Sequence, residues 1–263
     1  MISSKFTKTK QELYAFQQQL RSAEYAGQAV CVQFDTEPEF VSAMLPPCFQ
    51  PDGSGKARLI AGNLENSEFR FFTTMQLQFQ CLYEGRAVWY SPAGLTDSEI
   101  VLLVQREAWG ESQKFGSSVF LGKDSETVVS VKREDALLAK VKLLHGAEKP
   151  DEQGEFRSVN IKGFPEMNGQ GFEDGVDAVE MVTTFRKTRS CIAEASLTFR
   201  STHLDQWGEI PILRVTGAEV FCVSGTHSAV EVKPLDNPDS YMPYHLGTKF
   251  DPFDAYTVFE NIG

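Results

Sequence analysis

The 263-residue chain is long enough to bury a full hydrophobic core, and its 41% hydrophobic residues exclude an intrinsically disordered protein. Its 36 acidic residues outnumber 25 basic ones, and the formal charge of −11 argues against nucleic acid and anionic membranes as partners. Five widely spaced cysteines, and the lack of an apolar run of roughly 18 residues, predict a soluble, cytoplasmic protein with reduced thiols.

Two helices are predicted near the N-terminus. Between residues 9 and 27, apolar side chains recur at helical spacing at Leu13, Phe16, Leu20 and Ala23. We expect this amphipathic helix to pack on the body of the protein as a lid or brace. Residues 36–39, Thr-Glu-Pro-Glu, have the form of a capping box and predict a second, short helix that residues 46–47, Pro-Pro, end.

From residue 69 onward the pattern is typical of strands. Residues 69–82 alternate, residues 83–86 form a turn, and residues 87–90 return antiparallel. Further strands are predicted at 99–108, 117–121, 126–133, 137–144, 155–162, 178–186, 191–201, 210–215 and 217–223. About ten strands with short turns indicate a large antiparallel barrel or sandwich, formed by a single domain over residues 1–263.

The most informative segment, residues 106–116, reads Arg-Glu-Ala-Trp-Gly-Glu-Ser-Gln-Lys-Phe-Gly after an apolar run at 100–104. It resembles the active-site segment of the acetoacetate decarboxylase superfamily. That segment contains Arg-Glu, an aromatic residue, Gly, one further residue and then Pro-Lys-Lys. In this alignment Ser112 takes the position of the proline, Gln113 that of the first, Schiff-base lysine, and Lys114 that of the second.

The resemblance extends more weakly to residues 79–90 and 209–221. It implies a mainly β (α+β) fold, a large closed antiparallel β-barrel or cone with an N-terminal helix. It also implies a deep apolar pocket with the lysine near its base, and a homo-oligomer. The aromatic segment 241–259 is predicted to contact another subunit.

The resemblance gives Lys114 a candidate catalytic role. A neutral lysine attacks a ketone carbonyl and forms an iminium, which accepts the electron pair when a carbon–carbon bond breaks. The family lowers the pKa of that lysine by desolvation or a neighbouring cation. Gln113 supplies no cation here. Two interpretations of Lys114 therefore stay open, a Schiff-base nucleophile or a structural ion pair with Glu107 or Glu111.

The glutamates are the next candidates for catalytic roles. Glu107 either transfers protons or forms a buried structural bridge with Arg106. Glu111 is placed with Glu107 as a candidate catalytic carboxylate. Because consecutive side chains of an extended segment point to opposite faces, Gln113 and Lys114 are not both expected to face the pocket.

Three further residues are candidate substrate contacts. Gln113, if it points inward, would hydrogen-bond a substrate oxygen. Gln76 is the nearest match to the family's glutamate on the preceding strand and can hold a carbonyl or hydroxyl group. Trp109 is the aromatic residue of the motif and is expected to contact the substrate.

No metal site and no cofactor are predicted. The histidines at positions 145, 203, 227 and 245 lie far apart without paired metal-ligand spacing, and we interpret each as a surface or turn residue. Ser224 and His227 do not form a nucleophile elbow, because that motif requires a strand-turn-helix setting.

These observations favour a cofactor-free lyase, of decarboxylase or aldolase/dehydratase type, acting on a keto acid or polyketide-like carbonyl compound. An alternative is the same fold without a Schiff base, catalysing non-covalent cyclisation, dehydration or hydrolysis of a natural-product intermediate. In that case Gln76, Gln113 and Glu111 would be its polar contacts. A second alternative is a non-catalytic small-molecule binding protein.

Overall fold

The computed structural model of the protein describes residues 7–67, 70–123, 125–168 and 170–251. Its α-helices are α1 (Lys10–Arg21), α2 (Pro38–Met44), α3 (Glu99–Leu103) and α4 (Met242–Lys249). Its strands are β1 (Ser22–Asp35), β2 (Phe49–Pro51), β3 (Lys56–Asn66), β4 (Arg70–Tyr83), β5 (Arg86–Thr96), β6 (Gln113–Phe115), β7 (Ser117–Lys123), β8 (Glu126–Arg133), β9 (Ala136–Lys149), β10 (Glu152–Pro165), β11 (Phe172–Phe199) and β12 (Arg214–Pro234). A π-helical turn spans Val104–Ala108, and 3₁₀ turns span Trp207–Glu209 and Pro238–Tyr241.

The described strands form one mixed sheet in the order β10-β5-β4-β3-β1-β12-β11-β9-β8-β7, with β2 beside β4 and β6 beside β5. Pairing is antiparallel except for β10–β5 and β5–β6. The mainly β fold with an N-terminal helix is therefore confirmed. β10 also pairs with β11, but it meets β5 only at Ser158 and Trp89, so closure of the sheet into a barrel stays a prediction.

The sheet buries side chains on both faces, and the strand period of two separates them. On one face lies the main core, which includes Val30, Val32, Leu59, Leu77 and Phe79. The alternate positions face a cavity instead. On β3 these are Arg58 and Ile60, and on β4 they include Gln76. The second face therefore buries polar side chains that the first excludes.

The predicted hairpin around residue 84 is confirmed. β4 and β5 pair antiparallel, and Glu84 and Gly85 form the turn with φ of 51° and 76°. Left-handed conformation at both central residues suits a two-residue hairpin, because its twist matches that of the strands. Likewise α2 forms before Pro46, but the capping box is wrong, since Glu37 occupies the N-cap without a side-chain hydrogen bond.

The strand predicted at residues 99–108 is wrong, because this segment is helical. Ser98 caps α3 by accepting from the Val101 backbone N–H. Val101, Val104 and Gln105 are buried, at the i, i+3 and i+4 spacing of a helix face. The apolar run that suggested a strand therefore packs one helical side against the sheet.

Two predicted strands, 178–186 and 191–201, are parts of β11. The strand is irregular between Thr188 and Cys191, where Arg189 has a φ of 49°. That break explains why the sequence pattern lapses there. In contrast, residues 210–213 lie outside a strand, because β12 begins at Arg214.

α1 begins with a capping box between Thr9 and Glu12, and none of its side chains is fully buried. Its last turn contacts the body, where the Leu20 carbonyl accepts a hydrogen bond of 2.7 Å from Trp109 Nε1. At the other end of the described chain, α4 buries Lys249, whose Nζ donates to the Ile161 carbonyl at 2.9 Å.

Lys249 links stability to pH. Burial, aided by the Arg106 guanidinium, lowers the pKa of Lys249 to about 7 from 10.5, although Glu107 and Glu111 oppose the effect. Protonated Lys249 therefore destabilises the folded state by roughly 5 kcal/mol. This penalty is complete below about pH 7 and is lost as the pH rises towards 10.5, the pKa of the lysine in the unfolded chain.

We expect the free energy of unfolding of the wild type, relative to Lys249→Met, to rise by roughly 1.4 kcal/mol per pH unit from about pH 7 to pH 10. Urea titrations of both proteins at several pH values measure it. A difference between the two proteins that stays constant with pH would contradict a buried, neutral Lys249.

Candidate functional site

A cavity of about 400 Å³ lies on the second face of the sheet. Most of its wall is apolar, and its polar lining includes Arg58, Gln76, Thr183, Lys187 and His227, with Trp109 beside them. These residues come from β3, β4, β11, β12 and the segment after the π-helical turn. The topology thus brings together polar side chains that are far apart in sequence.

Glu111 reaches this region because the chain turns sharply after the π-helix. Gly110 has a φ of 73°, and a Cβ there would lie 2.8–2.9 Å from atoms of Lys162 and Ile161. Only glycine fits such a position. The turn lets the Glu111 backbone N–H donate to the Gln105 carbonyl at 2.9 Å and leaves its side chain only 3% exposed.

Three N–H donors surround the Glu111 carboxylate. Gln76 Nε2 lies 2.6 Å and Gln113 Nε2 3.3 Å from Glu111 Oε2. His227 Nε2 lies 2.9 Å from Glu111 Oε1. The structure therefore brings together three residues singled out from sequence, Gln76, Gln113 and Glu111. A buried carboxylate with such partners is satisfied as an anion.

A hydrogen-bonded chain connects Glu111 to Arg58. Arg58 Nε donates to Gln78 Oε1 at 2.7 Å, and Gln78 Nε2 donates to Gln76 Oε1 at 2.7 Å. The donor-to-acceptor direction of this chain follows from the two groups at its ends, since arginine only donates and an ionised carboxylate only accepts. Each glutamine must then present its oxygen towards Arg58 and its NH₂ towards Glu111. This consistency fixes both amide orientations.

The same reasoning assigns the His227 tautomer. An ionised Glu111 can only accept a hydrogen bond. In that case His227 Nε2 must carry the proton and donate it to Glu111. In the neutral ring, Nδ1 then accepts from the Thr183 hydroxyl, 2.7 Å away. Trp109 meets the ring edge-on at a centroid distance of 5.1 Å and restricts its rotation. In this tautomer Nδ1 is the basic nitrogen of His227, and the Glu111 carboxylate orients the ring.

The interpretation of His227 as a surface or turn residue is wrong. It lies within β12, directly opposite Thr183 on β11, and lines the cavity together with Phe221 and Val223. These positions are two residues apart along the strand, or a multiple of two, so their side chains lie on the same face. The alternation Phe221, Val223, residue 225, His227 was the available signal, and it places the histidine on a buried face.

Gln113 is buried at 1% exposure, and it pairs with Gly94 on β5. A Cβ at Gly94 would lie 2.6–2.8 Å from the Gln113 amide, so glycine is needed to accommodate the side chain. Among the described residues no donor reaches Gln113 Oε1. This oxygen is a buried acceptor, and within the described chain Gln113 does not line the cavity.

Lys114 points away from Gln113 into a cluster of charges. Its Nζ lies 3.2 Å from both Asp205 and Asp251, and Arg133 contacts the same carboxylates at 2.8 and 2.6 Å. Burial alone would lower the pKa of Arg133, but hydrogen bonds to Asp251 and Asp205 outweigh it and raise the pKa. Within the described chain Lys114 does not line the cavity. Its ion-pair partners are these aspartates rather than Glu107 or Glu111.

Glu107 lies at the surface. Its carboxylate is 3.8 Å from Arg106 Nε, and its side chain is 47% exposed. The buried Arg106–Glu107 bridge considered from sequence is therefore wrong. The cavity contains a different amine, Lys187, which donates to Glu219 at 2.9 Å.

Over the described ranges, no three histidine, cysteine, aspartate or glutamate side chains are grouped to hold a metal ion. The cysteines in these ranges are free thiols. None of the helices described above is both long and apolar enough to cross a membrane.

The fold matches solved structures of known enzymes. Acetoacetate decarboxylase from Legionella pneumophila superposes with a TM-score of 0.70 and 14% identity, over 81% of this chain and 88% of that one. An acetoacetate decarboxylase-like enzyme from Sphingomonas wittichii superposes with a TM-score of 0.67 and 13% identity, over 82% and 93%. These identities establish similarity of fold.

The enduracididine biosynthesis enzyme MppR, complexed with the condensation product of pyruvate and imidazole 4-carboxaldehyde, superposes with a TM-score of 0.65 and 16% identity. That match covers 80% of this chain and 88% of MppR. No curated protein matches the sequence significantly. The family model of acetoacetate decarboxylase matches residues 6–233. The chain therefore belongs to the acetoacetate decarboxylase family.

Proposed function

We propose that this protein is a cofactor-free lyase that eliminates water from, or cleaves by retro-aldol reaction, a β-hydroxy carbonyl compound without a Schiff base. The observation that carries the proposal is the Glu111–His227 pair, hydrogen-bonded at 2.9 Å beside the cavity. The charge cluster around Lys114 supports the same choice, because two aspartates hold its amine outside the cavity lining of the described chain.

The pair suits proton transfer. The Thr183 hydroxyl takes a proton from the substrate, either from the carbon next to the carbonyl or from the β-hydroxyl group, while it passes its own proton to His227 Nδ1, and Glu111 stabilises the resulting imidazolium. In elimination, the electron pair of the broken C–H bond forms the C=C bond. The departing hydroxide takes the proton back from His227 and leaves as water. In retro-aldol cleavage, the enolate carbon takes it instead. Either way the proton returns and the base is regenerated.

A base favours elimination and retro-aldol cleavage over simple decarboxylation. Loss of carbon dioxide needs an acceptor for electrons but removes no proton from carbon, so a carboxylate-oriented histidine has no first step to perform. The MppR complex with a pyruvate condensation product supports aldol-type chemistry on this fold. Developing negative charge on the substrate oxygen would be stabilised by nearby N–H and O–H donors.

Glu111→Gln is expected to lower turnover by roughly 100-fold or more, because the amide cannot stabilise an imidazolium at His227. Glu107→Gln is the matched control, since Glu107 is 47% exposed and lies at the surface. A mass-spectrometric assay with a panel of β-hydroxy carbonyl compounds measures the turnover of both variants. Equal losses in the two variants would contradict a catalytic role for Glu111.

The absence of a Schiff base has its own test. Incubation of the wild type with pyruvate or acetoacetate, followed by borohydride, should leave the protein mass unchanged, since hydride would otherwise trap an iminium. Lys114→Arg keeps the cation between Asp205 and Asp251 but cannot form an imine, so it should retain most activity. A borohydride adduct mapped to Lys114, or loss of turnover in Lys114→Arg, would contradict the proposal.

A further inference from the structure

One side of the cavity is lined by a single apolar cluster. It joins side chains of β1 and β4 to those of α3, the π-helical turn and the residue after it. We call it the apolar wall, and its cavity-lining members are Ala23, Phe72, Val101, Val104 and Trp109. Apolar cavities hold water poorly and bind apolar guests, so this wall favours a hydrocarbon group over solvent.

The apolar wall begins beside the groups that transfer the proton. Ala23 lies directly opposite His227 in the pairing of β1 with β12. Trp109 meets the His227 ring edge-on, with 5.1 Å between the ring centroids. A carbonyl compound that reaches the Thr183 hydroxyl, which is bonded to His227, therefore places its neighbouring substituent against this wall.

The cavity is larger than the reacting part of the substrate. Its volume is about 400 Å³, within the range of roughly 300–1,000 Å³ that encloses drug-sized ligands. A β-hydroxy carbonyl unit has few non-hydrogen atoms and leaves most of this space to the substituent that it carries. Polar lining residues such as Gln76, Lys187 and His227 already have hydrogen-bond partners within the protein. The remaining space therefore suits an apolar substituent better than a second polar group.

Leu64 limits the space along the apolar wall. It lies on β3, lines the cavity, and packs against both the apolar wall and a second apolar cluster around Phe221. A Cβ at Gly62 would lie 2.9 Å from Leu64 Cγ, so the glycine leaves room for the leucine side chain. Leu64 is only partly buried, whereas Val101 and Val104 are 2% and 3% exposed. A larger residue at position 64 therefore fills cavity space rather than the packed interior.

We propose that the substrate carries a bulky alkyl or alicyclic group next to its reacting carbons, and that Leu64 sets the upper size of that group. The inference rests on the proposed function and adds the substrate class, a β-hydroxy carbonyl compound with a large hydrocarbon substituent. Each methylene group buried against the apolar wall strengthens binding about fourfold. Leu64 is thereby a residue that determines specificity.

Binding of pentan-2-one and of 4-cyclohexylbutan-2-one, measured by calorimetry, tests this proposal. Neither ketone has a β-hydroxyl group, so binding is measured without turnover. The wild type should bind the cyclohexyl ketone roughly 100-fold more tightly than pentan-2-one. In Leu64→Trp this preference should fall roughly tenfold or more, because the indole occupies the space of the cyclohexyl ring. Leu121→Trp is the matched control and should keep the full preference, since Leu121 lies on β7 and is 64% exposed.

Two binding results would overturn the proposal. One is a wild type that binds the two ketones equally, or that binds neither, which decides the matter even if Leu64→Trp does not fold. The other is a folded Leu64→Trp that keeps the wild-type preference.

Turnover of the matching hydroxy ketones, 4-hydroxypentan-2-one and 4-cyclohexyl-4-hydroxybutan-2-one, separates this test from the lyase proposal. Binding of the cyclohexyl ketone that depends on Leu64, without turnover of either hydroxy ketone, would support the apolar site and contradict the lyase reaction alone. Equally efficient turnover of both hydroxy ketones would support the lyase reaction and contradict the requirement for a bulky group alone.

Discussion

The row of hydrogen bonds from Arg58 through Gln78 and Gln76 to Glu111 is the constraint on which the site depends. It begins at a group that only donates and ends at one that only accepts, so every amide between them has one allowed orientation. Such a chain polarises its members in the same direction. Removal of any link would leave buried polar atoms unpaired, which is costly in a low-dielectric interior.

The fold makes room for this row by burying both faces of the sheet. Along β4, Met75, Leu77 and Phe79 pack into the main core, while Gln76 and Gln78 point the other way. A sheet with one solvated face would leave these glutamines exposed to water, where their hydrogen bonds would contribute little. Here the second face is covered, and its buried polar side chains form part of the candidate functional site. Gln113, which the motif alignment places at the position of the family's lysine, belongs to the same arrangement, since it adds a donor to Glu111.

Much of the fold could be predicted because turns and helix ends are determined by residues that are adjacent in the sequence. The hairpin around Glu84 and the end of α2 at Pro46 depend on a few adjacent residues. Residues 99–108 were mistaken for a strand because a short apolar run has no clear period. Gln76, Gln113 and Glu111 could be proposed from the family motif. Arg58 and His227 could not, because their roles depend on strand pairing across distant parts of the chain. The homo-oligomer, the cytoplasmic location and the carbonyl substrate stay predictions.

The protonation of His227 tests the account most directly. Nitrogen-15 NMR of ring-labelled protein near neutral pH, with His227→Gln to assign the signals, reports which ring nitrogen carries the proton. The account predicts a proton on Nε2, donated to Glu111, and an unprotonated Nδ1 that accepts from Thr183. A proton on Nδ1 would contradict it, because that nitrogen could then not accept a proton from Thr183.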